Sequence, residues 1–340
     1  MELVSLFCGP GGLDEGFRQA GFKTMLAYDQ EEHCVNTHKH NHASKQEGRQ
    51  GKALKEDLSD IETQQVRFHW KEVSTNAPTG LVGGPPCQSF SHSNVFKKDD
   101  DPRDELVAHY ARILTAWQEG LHFFVFENVT ALFSDKHIEK YNEFKNLADE
   151  AGFEVHEETL NAKDFGVPQH RKRVFVVGIS REHYPNHDFE FPEGTCEQIR
   201  TVGDVLREMP EPTHYQHGLD PEDIRTHPNH WCSRPISEKF SNGSITPGET
   251  TKSRSFRALA WDQPSYTVAY GNREVHVHPD CERRLSIYEA MKLQGFDRDY
   301  ELLGNMGQQV TMISDAVPPP VAEAIAQALL DQLDLPELEA

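Results

Sequence analysis

The stretch Leu81-Val82-Gly83-Gly84-Pro85-Pro86-Cys87-Gln88-Ser89-Phe90-Ser91 decides the fold. An apolar run ends in two glycines and two prolines, and a cysteine follows them. Because proline fixes φ and glycine permits close backbone approach, we expect a buried strand that delivers the Cys87 thiol onto a stiff loop. Open α/β sheets bind ligands at the carboxyl ends of their strands, which is where this loop begins. An isolated cysteine beside a turn is more often a structural core residue, so other motifs must decide between the two interpretations.

Length and composition exclude several classes of protein. The chain has 340 residues, which is enough for one large domain or two. It contains neither a signal-like N-terminal run nor a stretch of about 18 apolar residues, so we expect no membrane span. Its six cysteines show no C-x-x-C pairing, which is typical of a reduced cytoplasm. The sequence therefore predicts a cytoplasmic protein.

The charge balance needs an explanation if the partner is a nucleic acid. The formal net charge is −21, whereas phosphate binding requires Lys and Arg. Between Arg225 and Arg257, however, six basic residues stand against two acidic ones, which gives a local net charge of +4. An acidic protein with one basic stretch remains compatible with DNA binding.

A glycine turn near the N-terminus predicts a nucleotide site. The apolar strand Leu3 to Phe7 leads into Cys8-Gly9-Pro10-Gly11-Gly12, and a helix-like run extends from Leu13 to Ala20. Glycines in such a turn let the backbone approach a ligand at the helix N-terminus. A second strand, Thr24 to Tyr28, ends at Asp29, about 20 residues further on, where a carboxylate suits ribose hydroxyls. A helix N-cap is the alternative role for Asp29.

Two later stretches carry further polar groups next to apolar runs. The strand Phe123 to Phe126 ends in Glu127-Asn128-Val129. Further along, Gln169, Arg171 and Arg173 alternate, so an extended segment would place all three on one face. Three donors on one face suit a carbonyl oxygen and a phosphate.

Taken in order, these motifs resemble those of DNA (cytosine-5)-methyltransferases. The resemblance rests on Pro85-Pro86-Cys87-Gln88, Glu127-Asn128-Val129 and the Phe7-x-Gly-x-Gly-Gly loop, and it covers about residues 1 to 180 and 253 to 333. It implies an α/β fold with a mostly parallel, Rossmann-like sheet and a smaller, irregular target-recognition domain. We expect a catalytic and cofactor-binding domain at 1–180, a target-recognition domain at 181–262 and a return to the catalytic domain at 263–340.

The resemblance also implies a reaction, the transfer of a methyl group from S-adenosyl-L-methionine to carbon 5 of cytosine in duplex DNA. Carbon 5 is a poor nucleophile, so the Cys87 thiolate would first add at carbon 6. Glu127 would deliver a proton to N3, which requires burial to raise its pKa. Arg173 would bind O2, while Arg171 and Gln169 would brace the loop. The cytosine has to be flipped out of the duplex to reach these groups.

Residues for the cofactor and for DNA follow from the same resemblance. Phe7 would stack on adenine, and Asp29 would accept from the ribose. The implied cofactor site, which releases S-adenosyl-L-homocysteine, comprises Phe7, Gly9, Gly11, Gly12, Asp29, Gln30, Asp57, Leu58, Pro85, Leu106, Asp315, Ala316 and Val317. The implied DNA contacts are Gln88, Ser91, Ser93 and Arg103 in the loop after Cys87, and Arg234, Lys252, Arg254 and Arg257 in the recognition region.

Some features depart from the pattern or leave alternatives open. The family usually has Gly-Asn before Ala-Val-Pro-Pro, where this chain has Ser314-Asp315. That change leaves a non-catalytic or altered-cofactor homologue as an alternative, beside an RNA cytosine-5 methyltransferase. An NAD oxidoreductase would explain only the glycine turn. The histidines near Cys232 match no standard zinc spacing, so no metal ligand is assigned. A monomer and a cognate restriction endonuclease are further expectations from the resemblance.

Overall fold

The computed structural model describes residues 1–43, 51–85, 106–117, 120–194, 196–224, 226–248, 256–267 and 276–335. The chain divides into two compact units. The first comprises Met1–Leu160, Lys172–Glu193 and Val321–Ala340, and the second comprises Asn161–Arg171 and Gly194–Pro320. The three-part functional division expected from the sequence stays a prediction, because compactness does not say which part reads DNA.

A sheet of seven strands lies at the centre of the first unit in the described part of the chain. Its spatial order is β3-β2-β1-β4-β5-β7-β6. The first five strands pair in parallel, and β7 runs antiparallel to β5. The strands are β1 (Glu2–Leu6), β2 (Lys23–Asp29), β3 (Lys52–Lys55), β4 (Gly80–Gly83), β5 (Phe123–Asn128), β6 (Phe153–Asn161) and β7 (Lys172–Ser180). The predicted mostly parallel α/β class is confirmed.

Helices connect these strands and continue into the second unit. The α-helices are α1 (Gly12–Gln19), α2 (Glu32–His38), α3 (Thr63–Val73), α4 (Leu106–Ala116), α5 (Ile138–Glu150), α6 (Gly203–Leu206), α7 (Ile287–Leu293), α8 (Met306–Asp315) and α9 (Pro319–Gln332). A π-helical turn, Lys39–Ala43, extends α2, and short 3-10 turns occur at Thr130–Phe133, Ala162–Phe165, Pro221–Asp223 and Glu238–Phe240. Within the described residues, no helix is both long enough and apolar enough to cross a membrane.

The core of the first unit explains why its central strands are nearly continuous apolar runs. β1, β4 and β5 are buried along their whole length, as expected when helices cover both faces of a parallel sheet. Tyr110 of α4 packs edge-to-face on Phe126, with ring centroids 5.3 Å apart. Its hydroxyl lies 3.1 Å from the Leu81 carbonyl and 3.0 Å from the Val125 carbonyl. These contacts of Tyr110 hold α4 against both β4 and β5.

The second unit contains few regular elements. Two short strands, β8 (Thr213–His214) and β9 (Trp231–Cys232), pair in parallel. α7 begins at a capping box in which the Ser286 hydroxyl accepts from the Glu289 amide and the Glu289 carboxylate accepts from the Ser286 amide. Arg283 donates two hydrogen bonds of 2.9 Å to the same carboxylate. The buried charge of Glu289 is therefore paired.

The structure differs from the sequence-based expectation between His33 and Lys55, for which we expect a helix and a loop. The run contains part of α2, the π-helical turn and the strand β3. β3 is an edge strand with a lysine at each end, Lys52-Ala53-Leu54-Lys55, so its pattern is short and weakly apolar. Charged residues are usual on edge strands, where they discourage pairing with other chains.

Candidate active site

The residues that lead to Cys87 lie against the carboxyl end of β5. A Cβ atom placed on Gly84 would lie 2.7 Å from Glu127 Oε2, so the backbone of the Pro-Pro-Cys loop begins in contact with this carboxylate. The Asn128 side-chain amide also donates to the Pro85 carbonyl, at 3.3 Å. Two neighbouring parallel strands therefore bring Glu127 next to the start of the cysteine loop. Cys87 itself lies outside the described residues.

Glu127 forms an ion pair with Arg173 from the neighbouring strand. Antiparallel β5 and β7 pair Glu127 with Phe175, and Arg173 Nε lies 3.1 Å from Glu127 Oε1. Glu127 is only 8% exposed. Burial favours the neutral acid and the guanidinium favours the carboxylate, so the two influences on this group oppose each other. The structure thus brings together Glu127 and Arg173, the two predicted catalytic side chains that it describes in the first unit.

Arg171 and Gln169 belong to the second unit. The Arg171 amide donates to Asn161 Oδ1 at 3.1 Å, and its Nη2 donates to the Asp315 carbonyl at 3.4 Å. Gln169 is completely buried and forms a bridge with Ser265. In the described part of the chain, both amide atoms of Gln169 lack a hydrogen-bond partner. The predicted bracing role of these two residues stays a prediction, although Arg171 does contact one residue of the predicted cofactor segment.

The glycine turn of the first unit has the geometry of a ligand cradle. Phe7, Gly9 and Gly11 all have positive φ, and the Gly9 amide donates to Asp29 Oδ2 at 2.9 Å. Among the residues that the structure describes, and apart from its two chain neighbours, no atom lies within 4 Å of the place that a Cβ of Gly9 would occupy. Gly12 begins α1, directly after Gly11 at the N-cap. The open space and the adjacent carboxylate fit the nucleoside part of a cofactor.

Asp29 lies at the carboxyl end of β2, as predicted. Burial raises its pKa, while hydrogen bonds from the amides of Glu31 and Gly9 lower it. The Asp29 side chain does not cap α2, whose N-cap residue is Glu31 with no side-chain hydrogen bond. Gln30 is exposed beside it. Asp29 therefore orders the glycine turn directly, which is compatible with its predicted role toward ribose.

The remaining predicted cofactor residues of the first unit fall at separate places. Leu58 is buried, while the adjacent Asp57 is exposed. Hydrogen bonds from the amide and hydroxyl of Ser59 lower the pKa of Asp57. Pro85 is buried beside Asn128, and Leu106 is the first residue of α4.

The segment Asp315-Ala316-Val317 ends α8 in the second unit. Asp315 is exposed, whereas Ala316 and Val317 are buried. Ser314 and Asp315 form the last turn of the helix, and Ala316 is its C-cap. The two positions that depart from the family pattern are therefore helical residues here.

Only two of the predicted DNA contacts are described. Arg234 is exposed, and the Arg257 guanidinium lies 4.7 Å from the centroid of the Tyr266 ring. Both belong to the second unit. The other predicted DNA contacts, Gln88, Ser91, Ser93, Arg103, Lys252 and Arg254, lie outside the described residues.

Sequence analysis missed a buried polar network beneath the glycine turn. Asp14 of α1 accepts from Ser5 Oγ at 3.0 Å and from Thr24 Oγ1 at 2.9 Å, and His38 Nε2 lies 3.3 Å away. Burial alone would raise the pKa of Asp14, but His38, His42 and the hydrogen bond from Thr24 lower it to about 2. An acidic residue early in a helix is too common to signal such a network.

Comparison with known proteins gives a family match over almost the whole chain. The model of the family described as C-5 cytosine-specific DNA methylase matches residues 1–331. Type II methyltransferase M.MthTI of Methanothermobacter thermautotrophicus is 30% identical over 98% of both chains. Type II methyltransferase M1.HphI of Haemophilus parahaemolyticus is 31% identical, covering 97% of this chain and 87% of its own.

Solved structures show the same fold. A prophage-encoded protein from E. coli, described as a candidate DNA modification methyltransferase, has a TM-score of 0.80 at 24% identity, with 98% of this chain and 99% of that chain covered. The Dnmt2 methyltransferase of S. pombe has a TM-score of 0.66 at 15% identity, with coverage of 97% and 99%. At these identities the likeness shows the fold alone.

Proposed function

Because the chain belongs to the C-5 cytosine-specific DNA methylase family, it is a DNA (cytosine-5-)-methyltransferase with S-adenosyl-L-methionine as methyl donor, and we propose that it works through a covalent bond between Cys87 and carbon 6 of a flipped-out cytosine. The further proposal is that it acts on one specific sequence of duplex DNA.

One observation supports the covalent mechanism, namely the contact of Gly84 and Pro85, the described residues that precede Cys87, with Glu127 and Asn128. Gly84 and Pro85 lie against Glu127 and Asn128, and Arg173 lies 3.1 Å from the Glu127 carboxylate. Glu127 and the residues that precede Cys87 thus lie at the carboxyl ends of β5 and β4, where open α/β sheets bind ligands, and Arg173 joins them from the amino end of antiparallel β7. These are the groups that activation of a cytosine ring requires.

The proposed chemistry assigns one task to each side chain. The Cys87 thiolate forms a bond to carbon 6, and the electron pair displaced from the ring double bond makes carbon 5 nucleophilic. Glu127 donates a proton to N3, and Arg173 donates a hydrogen bond to O2, so both relieve the negative charge that the addition places on the ring. After methylation, a solvent water takes the carbon-5 proton, the electrons of that C–H bond restore the double bond between carbons 5 and 6, and Cys87 leaves as a thiolate. The N3 proton returns to Glu127, which is then ready for another cycle.

The ion pair places a condition on the proton delivered by Glu127. A neighbouring guanidinium stabilises the carboxylate, so the acid form has to be favoured when the ring enters and Arg173 turns part of its hydrogen bonding toward O2. We therefore propose that Glu127 takes up its proton together with substrate binding. The 8% exposure of Glu127 supports this coupling, because a desolvating ligand would remove its remaining contact with water.

The cofactor supplies a methyl group on a positively charged sulfur. The glycine turn fits its nucleoside part, since Gly9 leaves open space and Asp29 offers a carboxylate beside it. We propose that Asp29 binds the ribose hydroxyls and that Phe7 and Leu58 contact the adenine, while Asp315, Ala316 and Val317 are assigned to the cofactor by the family resemblance alone. Gly11 and Gly12 allow the backbone to approach at the N-terminus of α1.

The biological setting is proposed from the relatives. Those with similar length are named as Type II methyltransferases, which supports a role in a restriction–modification system with a cognate endonuclease. We further propose that the enzyme works as a cytoplasmic monomer and that Arg234 and Arg257 contact DNA phosphates. Flipping is required because neither face of carbon 6 is accessible in stacked DNA.

The test is methyl transfer from tritiated S-adenosyl-L-methionine to mixed-sequence duplex DNA, with transfer RNA as a second substrate. Wild type is expected to label carbon 5 of cytosine in DNA, and Cys87→Ala is expected to abolish labelling. Cys281→Ala is the matched control, since Cys281 is a half-exposed free cysteine of the second unit. Labelling by Cys87→Ala at the wild-type rate, or labelling of transfer RNA in place of DNA, would contradict the proposal.

A further inference from the structure

We propose that Gln294 is a positioning residue for the cofactor, because its side chain fixes the backbone of the segment Ile313–Val317. The inference rests on the proposed function in one respect, the assignment of Asp315, Ala316 and Val317 to the cofactor site. It concerns contacts within the second unit only.

The side chain of Gln294 bridges the end of α8. Gln294 is the C-cap of α7 and is completely buried. Its Nε2 donates to the Ile313 carbonyl at 3.0 Å and to the Ala316 carbonyl at 2.7 Å. These two carbonyls lie on either side of Ser314-Asp315. One amide group therefore determines the path of the backbone across both positions that depart from the family pattern.

The three residues after Val317 cannot donate to these carbonyls. The last carbonyls of an α-helix have no amide partner within the helix. The residues that follow are Pro318, Pro319 and Pro320, none of which has an amide N–H. Gln294 supplies an N–H donor to each of these carbonyls from outside the helix.

The neighbours of Gln294 hold the same segment. Gly295 has a φ of +85°, and a Cβ placed on it would lie 2.8 Å from Pro320 Cδ and Cγ. Arg171 Nη2 donates to the Asp315 carbonyl at 3.4 Å. Contacts from α7 and from Arg171 thus fix Ile313, Asp315, Ala316 and Pro320, so the segment is positioned from more than one side.

These contacts act on the backbone and leave the Asp315 side chain exposed. Gln294 is neutral, so it orients the carbonyls without introducing a positive charge beside the Asp315 carboxylate. That arrangement suits a segment whose charged group faces a ligand with an ammonium group. Gln294 would therefore affect cofactor affinity by fixing where Asp315 and Val317 lie, without touching the cofactor.

The chain offers a matched control in Gln309. It is 2% exposed, lies on α8 and donates from Nε2 to the carbonyls of Leu302 and Gly304, both at 3.0 Å. Its Oε1 accepts from Trp231 Nε1 at 2.8 Å. Gln309 thus makes the same kind of contact at the start of the helix, away from Ile313–Val317. Removing either amide takes one side-chain donor away from two backbone carbonyls.

The experiment compares Gln294→Met with Gln309→Met in the full-length enzyme. The measurements are thermal unfolding, calorimetric binding of S-adenosyl-L-homocysteine, and KM for DNA and for S-adenosyl-L-methionine. Both variants are expected to lower Tm by similar amounts. Gln294→Met is expected to weaken binding of S-adenosyl-L-homocysteine about tenfold, as for the loss of about 1.4 kcal/mol, and to raise KM for the methyl donor with KM for DNA unchanged. Gln309→Met should bind within about twofold of wild type.

Several results would overturn the inference. One is folded Gln294→Met that binds S-adenosyl-L-homocysteine like wild type, and another is an equal loss of affinity in both variants. If Gln294→Met does not fold, Gln294→His takes its place, because it retains one N–H donor. Gln294→His should bind S-adenosyl-L-homocysteine more weakly than wild type, and binding equal to wild type would contradict the proposed role of Gln294. The proposed function fails separately, through wild-type enzyme that transfers no methyl group to DNA.

Discussion

Glu127 is the acid of the proposed mechanism, and its carboxylate is buried beside a cation. Its position after an apolar strand and before Asn-Val predicts an acid in the site. The structure adds Arg173 at 3.1 Å and the Gly84 backbone against Oε2. Burial favours the protonated form of the Glu127 carboxyl group, and the Arg173 guanidinium opposes that effect. Proton delivery then depends on what the substrate does to this pair.

The substitution Glu127→Gln tests the role as a proton donor. The amide side chain retains the shape and an oxygen beside Arg173, but it has no acidic proton, so kcat should fall about 10²- to 10⁴-fold. Steady-state kinetics with duplex DNA measure this fall, and calorimetry should show affinity for S-adenosyl-L-homocysteine within about twofold of wild type. An unchanged kcat would exclude Glu127 as the acid.

Other residues of the site give no such signal in the sequence. Gln294 lies in a helical run in which a glutamine is unremarkable, and its role appears only when Ile313 and Ala316 come within hydrogen-bond distance. Asp14 is similar, because its partners Ser5, Thr24 and His38 come from three different elements. Contacts between distant parts of a chain depend on tertiary packing, which a local pattern does not encode.

At the scale of elements, α4 positions the two strands that carry the site. The Tyr110 hydroxyl lies within hydrogen-bond distance of the carbonyls of Leu81 on β4 and Val125 on β5. β4 leads to Gly84 and Pro85, and β5 carries Glu127 near its carboxyl end. A single hydroxyl thus helps to hold α4 against the two strands, β4 and β5, that carry the candidate active site.

Removing this hydroxyl should reduce stability more than activity. For Tyr110→Phe we expect the free energy of unfolding to fall by about 1 kcal/mol, because a buried hydrogen bond is lost, while kcat at 25 °C stays within about threefold of wild type. Urea unfolding and steady-state kinetics measure the two effects. Tyr215→Phe is the control on an exposed ring. A stability equal to wild type would mean that the hydroxyl contributes nothing to holding α4.

The elements also show where a sequence pattern succeeds and where it stops. The strands Leu3 to Phe7, Thr24 to Tyr28 and Phe123 to Phe126 are predicted to within two residues at each end, because both faces are buried and the apolar runs are continuous. β3 is missed because an edge strand needs only one buried face and tolerates lysine at its ends. β5 extends through Glu127 and Asn128, so the acid is part of the strand and not of a loop.

At the scale of the whole molecule, buried histidines make stability depend on pH. Burial lowers the pKa of His42 to about 3 and the pKa of His227 and His276 to about 4. The ordinary value is 6.5, so the unfolded chain binds protons that the folded chain does not bind as pH falls from about 6.5 toward 4. These groups therefore contribute stability above pH 6.5 that is lost in that window.

A histidine replacement separates this effect from the change in net charge. His276→Gln should lower Tm at pH 7.5, because a hydrogen-bonded buried ring is lost. The difference in Tm between the variant and wild type should then become smaller as pH falls to 5, since only wild type loses stability through protonation of His276. Thermal unfolding at several pH values, with exposed His217→Gln as a control, measures the difference. A gap that stays constant or widens toward pH 5 would contradict the expectation.

The family and the α/β class could be predicted from a few motifs, because these motifs lie at strand ends that the fold brings to one edge. The bounds of the two compact units could not be predicted in this way. Residues 161–171, which belong to the second unit, precede β7 of the first, so a motif that reads as one extended segment is shared between them. Alternation along a sequence indicates which residues share a face only if the segment is one strand.

The covalent bond between Cys87 and carbon 6 can be tested by trapping the enzyme on duplex DNA in which cytosine is replaced by 5-fluorocytosine. Fluorine cannot leave as a proton does, so an adduct at carbon 6 cannot be released after methylation. We predict a complex that survives denaturation, requires S-adenosyl-L-methionine, forms with wild type and Cys281→Ala, and is absent with Cys87→Ala. Methylation of ordinary DNA by wild type without any such complex, or a complex that persists in Cys87→Ala, would contradict the covalent mechanism.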